Sequence, residues 1–554
     1  MSKLALAVSS HVDMFTRDHL PPADQWPIFL FDRPELQYPT QLNIVQELVD
    51  THVSQGQGAR PALYGRDEHG AVTWTYHKLQ QQIDAIAQAL IQDLKLVAGN
   101  RVLLRGANSP MMAACLLAGI KAGLVMVPTM PMLRASELRQ VIEKAQITAA
   151  LCSQNLSEEL SFCLAPQHPQ NASSLQLVLY FDNHRPDGLE ALMTKYSRPF
   201  CAHPTSKDDV CLIAFTSGTT GQPKGTMHFH RDILAMCDLF PKHILEMNAS
   251  DIVCGTPPLA FTFGLGGLLA FPLRYGASTI LLEKHTPETL LDTMASYRAT
   301  QCYTAPTFYR QMASLAHAFD LSSLRHPVSA GEPLPESTRQ RWKDSTGTDL
   351  TDGIGGTELT HIYISSAGKH ARPGCIGRVV PGYIAQIVDQ QMRPVPAGTP
   401  GRLAVRGPTG CRYLEDLRQA EYVRDGWNLP GDTFVMDKEG YFTYIARNDD
   451  MIVSAGYNVA APEVEGILLQ HPAVAECAVI GQPDAERGQV ITAFVTLNTG
   501  FEPSATLIET LQNFVKKNIA PFKYPRKIIF LKSLPRTATG KLQRFRLREM
   551  TIPT

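Results

Sequence analysis

Paired cysteines, a sizeable net charge and a long uninterrupted apolar run are all missing from this chain of 554 residues. The 11 cysteines are scattered singly, with no Cys-x-x-Cys pair, so the spacing offers neither a disulfide framework nor a zinc site and points to a reducing, cytoplasmic compartment. Lys and Arg total 51 against 52 Asp and Glu, and this balance lacks the electrostatic footprint of a nucleic-acid coat protein or a polybasic membrane binder. The N-terminal stretch carries one lysine and too few consecutive apolar residues for a signal-peptide core. Met111 to Pro128 is the longest apolar stretch, but Lys121 and glycines interrupt it, so it reads as a buried helix running into a strand and not as a membrane span. Internal repeats and low-complexity tracts are absent too. What is present is 44% hydrophobic residues over a length that suits three or four folding units, each able to bury a core.

From about residue 75 helical and strand periods alternate. Leu79, Ile83, Ile86, Leu90 and Leu94 recur every three or four residues, and Arg101 to Arg105 then reads as a short buried strand. Strand-like runs at 147–152, 175–181, 209–215, 278–282 and 300–304 are separated by helix-length segments such as 287–298. Such alternation predicts an α/β fold with two parallel-type sheets covered by helices. After residue 375 frequent glycines punctuate short runs, predicting a β-rich, antiparallel subdomain in the form of a distorted barrel. Residues 463–550 read as a small α+β module, with a helix on Leu507, Leu511, Phe514 and Val515 and a strand over 527–531. The expected division is an N-terminal domain over 1–447, with subdomains at about 1–205, 206–375 and 376–447, and a small C-terminal domain over 448–554. The Pro- and Ser-containing stretch 197–208 is the best candidate for an internal linker.

The densest chemical signal is Thr216-Ser-Gly-Thr-Thr-Gly-Gln-Pro-Lys-Gly225, directly after a buried strand. Its glycines allow close approach, its hydroxyls and backbone amides are donors, and Lys224 supplies a point charge, a combination suited to oligophosphate. It is not a Walker A loop, because the spacing to Gly-Lys-Ser/Thr is wrong. Glu358 in Asp352-Gly-Ile-Gly-Gly-Thr-Glu358 is a hard oxygen donor suited to Mg²⁺. His228 and His230 form a His-x-His pair without a third ligand at helical spacing, and read as a helix entry and not a metal site.

The 216–225 loop resembles the signature of the adenylate-forming superfamily, which includes acyl-CoA and aryl-CoA synthetases, luciferases and peptide-synthetase adenylation domains. The resemblance extends along nearly the whole chain, through the 352–358 segment, Trp427-Asn-Leu-Pro-Gly-Asp432, Arg447-Asn-Asp-Asp-Met-Ile452 and Pro535-Arg-Thr-Ala-Thr-Gly-Lys541. It implies two half-reactions, in which a carboxylate and MgATP give an acyl adenylate and a thiol then displaces AMP. By the same resemblance, Thr216, Ser217, Gly218, Thr219, Thr220, Gly221 and Lys224 hold the phosphates, and Gly331, Glu332, Pro333, Asp352 and Gly353 lie about the adenine. Thr357 contacts the α-phosphate, Glu358 the Mg²⁺, and Asp432 with Arg447 the ribose. Lys541 is the implied catalytic lysine, bridging carboxylate and α-phosphate, with Glu358, Thr357 and Lys224 as its partners in catalysis. Asp449 falls at the hinge about which the C-terminal domain turns, and Gly456 at the pantetheine channel.

The segments Pro257 to Gly267 and Glu358 to Tyr363 are apolar and aromatic with few polar groups, which suits a flat hydrophobic acid. They resemble the benzoate-CoA ligases of the aryl-CoA ligase branch, and the stretches Phe15 to Pro22 and Leu36 to Pro39 resemble its 2-aminobenzoate-CoA ligase group. Phe261, Thr262, Phe263, Gly355 and His361 are the pocket candidates, and Ile354 replaces the aromatic residue most of the superfamily has at that position. The expectation is therefore an AMP-forming aryl-CoA ligase using ATP, Mg²⁺ and CoA, with a small aromatic carboxylic acid as substrate and no nucleic-acid or membrane partner. Two alternatives stand beside it: an enzyme loading the aryl group onto a carrier-protein phosphopantetheine, and an inactive acyl-nucleotide sensor.

Overall fold

The computed structural model describes residues 6–67, 70–164, 174–183, 185–216, 223–447, 451–454, 457–484, 488–536 and 542–550. Alternating strands and helices build a first sheet in the spatial order Leu177–Phe181, Ala149–Ser153, Arg101–Arg105, Val125–Thr129, Val210–Thr216 and Lys224–Phe229. The first five strands run parallel, and the sixth returns antiparallel to the fifth. Every residue of Arg101–Arg105 is buried, as a strand covered on both faces requires.

Two helices of this layer start where the sequence caps them, behind Thr75 and Ser109. Pro110–Lys121 begins behind Ser109, whose Oγ accepts from the Met112 amide at 3.1 Å, with Pro110 in the first turn. Lys121, which interrupts the longest apolar run, stays buried because its ammonium meets Asp50 at 2.8 Å and Asp84 at 2.6 Å. The helix Tyr76–Gln88 buries the Leu79, Ile83 and Ile86 stripe against the same core.

A second, nine-stranded sheet is ordered Arg378–Val379, Ile362–Ser366, Thr351–Gly355, His326–Ser329, Gln301–Thr304, Ile252–Gly255, Ser278–Ile280, Pro61–Asp67 and Gly70–Thr75. Its six inner strands from Thr351–Gly355 to Pro61–Asp67 are parallel, and its edges are antiparallel. The two sheets do not follow the division expected at residue 205. Val210–Thr216 and Lys224–Phe229 belong to the first sheet, whereas Pro61–Asp67 and Gly70–Thr75 join the second. The chain interleaves because a strand joins whichever sheet edge can bury it, irrespective of its place in sequence.

The stretch 197–208 is a second departure from expectation. Its composition is that of a linker, but Thr205 and Ser206 are buried, the His203 amide donates to the Lys121 carbonyl at 2.9 Å, and Leu42 and Thr205 exchange hydrogen bonds at 2.7 and 2.8 Å. The N-terminal segment clamps it, with Ser9 and Ser10 donating to Asp209.

Ile384–Val388, Gly401–Arg406, Val423–Arg424, Trp427–Asn428, Asp432–Met436 and Phe442–Arg447 pair antiparallel in the third sheet. A fourth sheet, of Met451–Ser454, Tyr457–Ala460, Val474–Asp484, Gly488–Leu497 and Lys527–Phe530, carries the helices Ala461–Leu468 and Ala505–Asn518 over its own apolar core. Among the described residues, no helix is long and apolar enough to cross a membrane.

Candidate active site

The glycine-rich segment joins two antiparallel strands, with Thr216 and Lys224 in register across its base. Ser217, Gly218, Thr219, Thr220 and Gly221 lie outside the described residues, but their flanks fix the setting. No helix follows the loop directly, so its positive charge comes from Lys224 and not from a helix dipole. Lys224 Nζ donates to Tyr413 Oη at 2.9 Å, and that phenol donates in turn to Glu358 Oε1 at 2.5 Å. The ammonium itself stands 3.7 Å from the same carboxylate oxygen. Burial, reinforced by Glu358, pushes the Tyr413 phenol up, so it remains a donor at any ordinary pH.

Tyr413 arrives there by long-range pairing. It bridges Thr226 antiparallel, while the Met227 amide donates to the Arg412 carbonyl and the Leu414 amide to the Gly225 carbonyl, both at 2.8 Å. Beyond it, Asp416 accepts from Arg418 at 2.6 and 2.7 Å and from Lys144 at 2.9 Å, and Lys144 also donates to the Pro223 carbonyl at 3.3 Å. Burial would raise the Asp416 carboxyl, but these donors outweigh it and hold it below the usual range. Lys144 thus ties the exit of the glycine-rich loop to the segment that carries Tyr413. On the other side, the His228-x-His230 pair is buried; His230 opens the helix His230–His243, and its Nδ1 accepts from the Ile44 amide at 3.3 Å.

Thr357, Glu358 and Leu359 form a single tight turn, and the next residue, Thr360, is fully buried with φ +69°. A β-branched residue in that region costs on the order of 1–3 kcal/mol. The strained turn separates two side chains three residues apart: Glu358 faces Lys224 and Tyr413, and His361 enters an aromatic nest. Gly355 makes the turn possible, since a Cβ there would stand 2.5 Å from the His361 carbonyl oxygen.

The His361 ring lies 4.5 Å from Phe271, 5.6 Å from Phe240 and 5.6 Å from Phe263, centroid to centroid. Burial pushes its pKa down to about 3, so the imidazole is neutral. Nε2 is 3.4 Å from the Phe263 carbonyl oxygen, and Nδ1 has no hydrogen-bond partner. Gly266 and Gly267 let their helix pack closely, because a Cβ would stand 2.5 Å from His361 and 2.6 Å from Tyr303 respectively. Phe261 caps the short helix Thr262–Leu265; Thr262 is buried and Phe263 half-buried, its ring 5.9 Å from Tyr303. Ile354 is half-buried on the strand just before Gly355.

The adenine candidates sit toward the carboxyl ends of parallel strands, where ligands of open α/β sheets bind. Gly331 turns with φ +90° after His326–Ser329; Pro333 is exposed, and Glu332 accepts from Thr307 at 2.7 Å. Asp352 is buried, and desolvation raises its carboxyl to about 7 against the opposing pull of Arg339, 3.9 Å away, and of the Gly353 amide at 3.0 Å. A Cβ on Gly353 would press on Ile362 at 2.7 Å. Asp432 and Arg447 are cross-strand partners at the end of the third sheet.

Asp449, Gly456 and Lys541 lie outside the described residues. The base of the 537–541 segment is nevertheless fixed. Arg536 bridges Leu542, and the Gln543 amide donates to the Pro535 carbonyl at 2.8 Å. Arg536 reaches Glu332 Oε1 at 3.0 Å and Glu476 at 3.4 Å, so the lysine motif starts against the segment expected to border the adenine. Arg536, which opens the lysine motif, therefore joins the C-terminal segment to Glu332 of the main domain. Tyr413, Phe240 and Phe271 went unread: no motif surrounds them, and only tertiary pairing brings them to the site.

Fold and site together define a two-part enzyme of the adenylate-forming kind. The chain belongs to the AMP-binding enzyme family, whose main domain matches residues 50–413 and whose C-terminal domain matches 463–541. It is 33% identical to the benzoate–CoA ligase of Thauera aromatica, over 93% of this chain and 97% of that one. The crystal structure of the anthranilate CoA ligase AuaEII in complex with anthranoyl-AMP superposes with a TM-score of 0.86 at 31% identity, covering 93% and 98% of the two chains. A benzoate CoA ligase from Burkholderia xenovorans LB400 gives 0.81 at 30% identity, covering 92% and 100%. The protein is an AMP-forming acid–thiol ligase, with ATP and CoA as co-substrates.

Proposed function

We propose that the acid is aromatic, of the 2-aminobenzoate or benzoate type, and that the chain converts it to the aryl adenylate and then to aryl-CoA. The observation that carries this reading is the His361 nest. A neutral imidazole packed by Phe240, Phe263 and Phe271 backs the pocket segments with aromatic, uncharged side chains, of which Phe263 is half-buried. The relatives named for benzoate and anthranilate support the same choice.

In the first half-reaction a carboxylate oxygen attacks the α-phosphorus of ATP. One P–O bond forms, the bridge to the β-phosphate breaks, and pyrophosphate leaves. Lys224 and the hydroxyls and amides of 216–221 would cradle the departing phosphates, Thr357 the α-phosphate, and Asp432 with Arg447 the ribose. Asp352 and the Gly331–Pro333 segment would border the adenine. Lys541 would neutralise charge as the two anions meet, an interaction made only on the way to the transition state. Glu358 fits Mg²⁺: it is a hard oxygen donor, 12% exposed, whose nearest partners are a phenol and an ammonium and not a second carboxylate. A single carboxylate together with substrate phosphates suits this ion, which supplies charge neutralisation on the phosphate oxygens. In the second half-reaction the CoA sulfur attacks the acyl carbon and AMP departs, with the domain turning about Asp449 and Gly456 lining the thiol path. Incubation with ATP, Mg²⁺ and 2-aminobenzoate should give aryl adenylate without CoA and aryl-CoA with it. Pyrophosphate release that is independent of any aromatic acid would refute the reading.

A further inference from the structure

The phenol of Tyr413 stands between the two opposite charges of the phosphate corner and belongs to none of the motifs invoked for the reaction. Its ring is buried against Tyr422, 5.8 Å away, and its backbone is pinned through Thr226 and Gly225, so the oxygen has a fixed place. That oxygen takes a hydrogen bond from Lys224 and gives one to Glu358, whose charged atoms remain 3.7 Å apart. Lys224 and Glu358 are only 22% and 12% exposed, and opposite charges so poorly solvated attract far more strongly than they would in water. Without a group between them they would close into a direct ion pair. Each would then be spent on the other and turned from any ligand.

We propose that Tyr413 is a positioning residue that holds Lys224 and Glu358 apart, each on a neutral hydrogen bond that an incoming metal–nucleotide complex can replace. This rests on the assignment of Lys224 to phosphate and Glu358 to Mg²⁺ made above. The hydroxyl is an exchangeable stand-in: as Glu358 turns to a cation and Lys224 to a phosphate oxygen, the phenol loses two charged partners and nothing else in its packing changes. Arg418 and Lys144, by fixing Asp416 three residues on, keep the phenol in place during that exchange.

Tyr413→Phe removes one oxygen and leaves the strand pairing intact. Binding of a non-hydrolysable ATP analogue is to be followed by calorimetry across a Mg²⁺ series, alongside the melting temperature and the two half-reactions assayed separately. The half-saturating Mg²⁺ concentration and the dissociation constant of the magnesium–analogue complex should each rise on the order of tenfold, as expected for charge-assisted contacts. Conversion of supplied aryl adenylate to aryl-CoA should be unchanged. In the Glu358→Gln background, where no ion pair can form, the same Tyr413→Phe change should add little, a non-additivity that a purely structural role would not produce. Unaltered analogue binding in Tyr413→Phe, or a full effect that persists beside Glu358→Gln, would overturn the proposal. If Glu358→Gln alone leaves the Mg²⁺ dependence as in the parent, the metal assignment falls, and the proposal with it.

Discussion

One turn of chain, Gly355 to His361, serves two corners of the site by opposite means. At Glu358 the corner is built of charge: a carboxylate, a phenol and an ammonium are linked by hydrogen bonds of 2.5 and 2.9 Å. At His361 it is built of shape: a neutral ring lies among three phenylalanines, and glycines make room for it. On the proposed assignment the contrast follows from what each would hold. Phosphate is recognised by fixed charges and donors, which are worth most where water is scarce. A flat acid is recognised by the apolar area it buries. Strain at Thr360, φ +69°, is what allows neighbouring residues to face such different partners.

The comparison breaks most severely at the lysine that would join the two corners. Lys541→Ala should cut adenylate formation by about 10³-fold while sparing thioesterification of a supplied aryl adenylate, read in single-turnover assays of each half-reaction. Equal loss of both would remove Lys541 from its assigned place. Glu358→Gln should damage the charged corner alone: roughly 10²-fold in the rate of pyrophosphate release, a raised Mg²⁺ requirement, and little change in the apparent affinity for the acid.

His361→Ala should do the reverse. It opens space in a packed aromatic nest, so KM for the aromatic acid should rise roughly tenfold while the Mg²⁺ dependence stays put, a difference read by titrating acid and metal independently. Gly355→Ala would injure both corners together, because its Cβ would stand 2.5 Å from the His361 carbonyl oxygen and the turn must open; a lower melting temperature should accompany losses in both titrations.

The smallest expected effect lies beside the proposed adenine site. Desolvation holds the Asp352 carboxyl at about 7 in the fold, against 3.8 as its ordinary value. Because the folded value is the higher one, the folded chain binds more protons between these limits. Its stability contribution is present at acid pH and is lost as pH rises through that window. Asp352→Asn, which cannot ionise, should therefore gain melting temperature relative to the parent from about pH 4 to 7 and level off above that range.

The sequence disclosed elements whose burial repeats at short range. Arg101–Arg105 is the strand its residues predict, Pro287–Ser296 the helix, and Leu507, Leu511, Phe514 and Val515 do lie on the helix Ala505–Asn518. The segments of charged and apolar character around the site were also legible, because glycines, hydroxyls and a carboxylate cluster within a few positions of one another. Tyr413 was not, since its meeting with Lys224 depends on pairing with Thr226 across the chain, and a lone tyrosine between Arg412 and Leu414 carries no local mark. Phe240 and Phe271 reach His361 from separate helices. The stretch 197–208 misled for the complementary reason: composition reports how polar a segment is, whereas the clamp on Thr205 and Ser206 comes from Leu42 and Asp209.

Acid selectivity tests the account most directly. Pyrophosphate release, measured as kcat/KM over benzoate, 2-aminobenzoate, hydroxybenzoates, cinnamates and medium-chain fatty acids, should be highest for a benzoate-type acid. It should also collapse toward the level of the fatty acids in His361→Ala. A parent enzyme that prefers medium-chain fatty acids would contradict the aromatic corner and the function drawn from it.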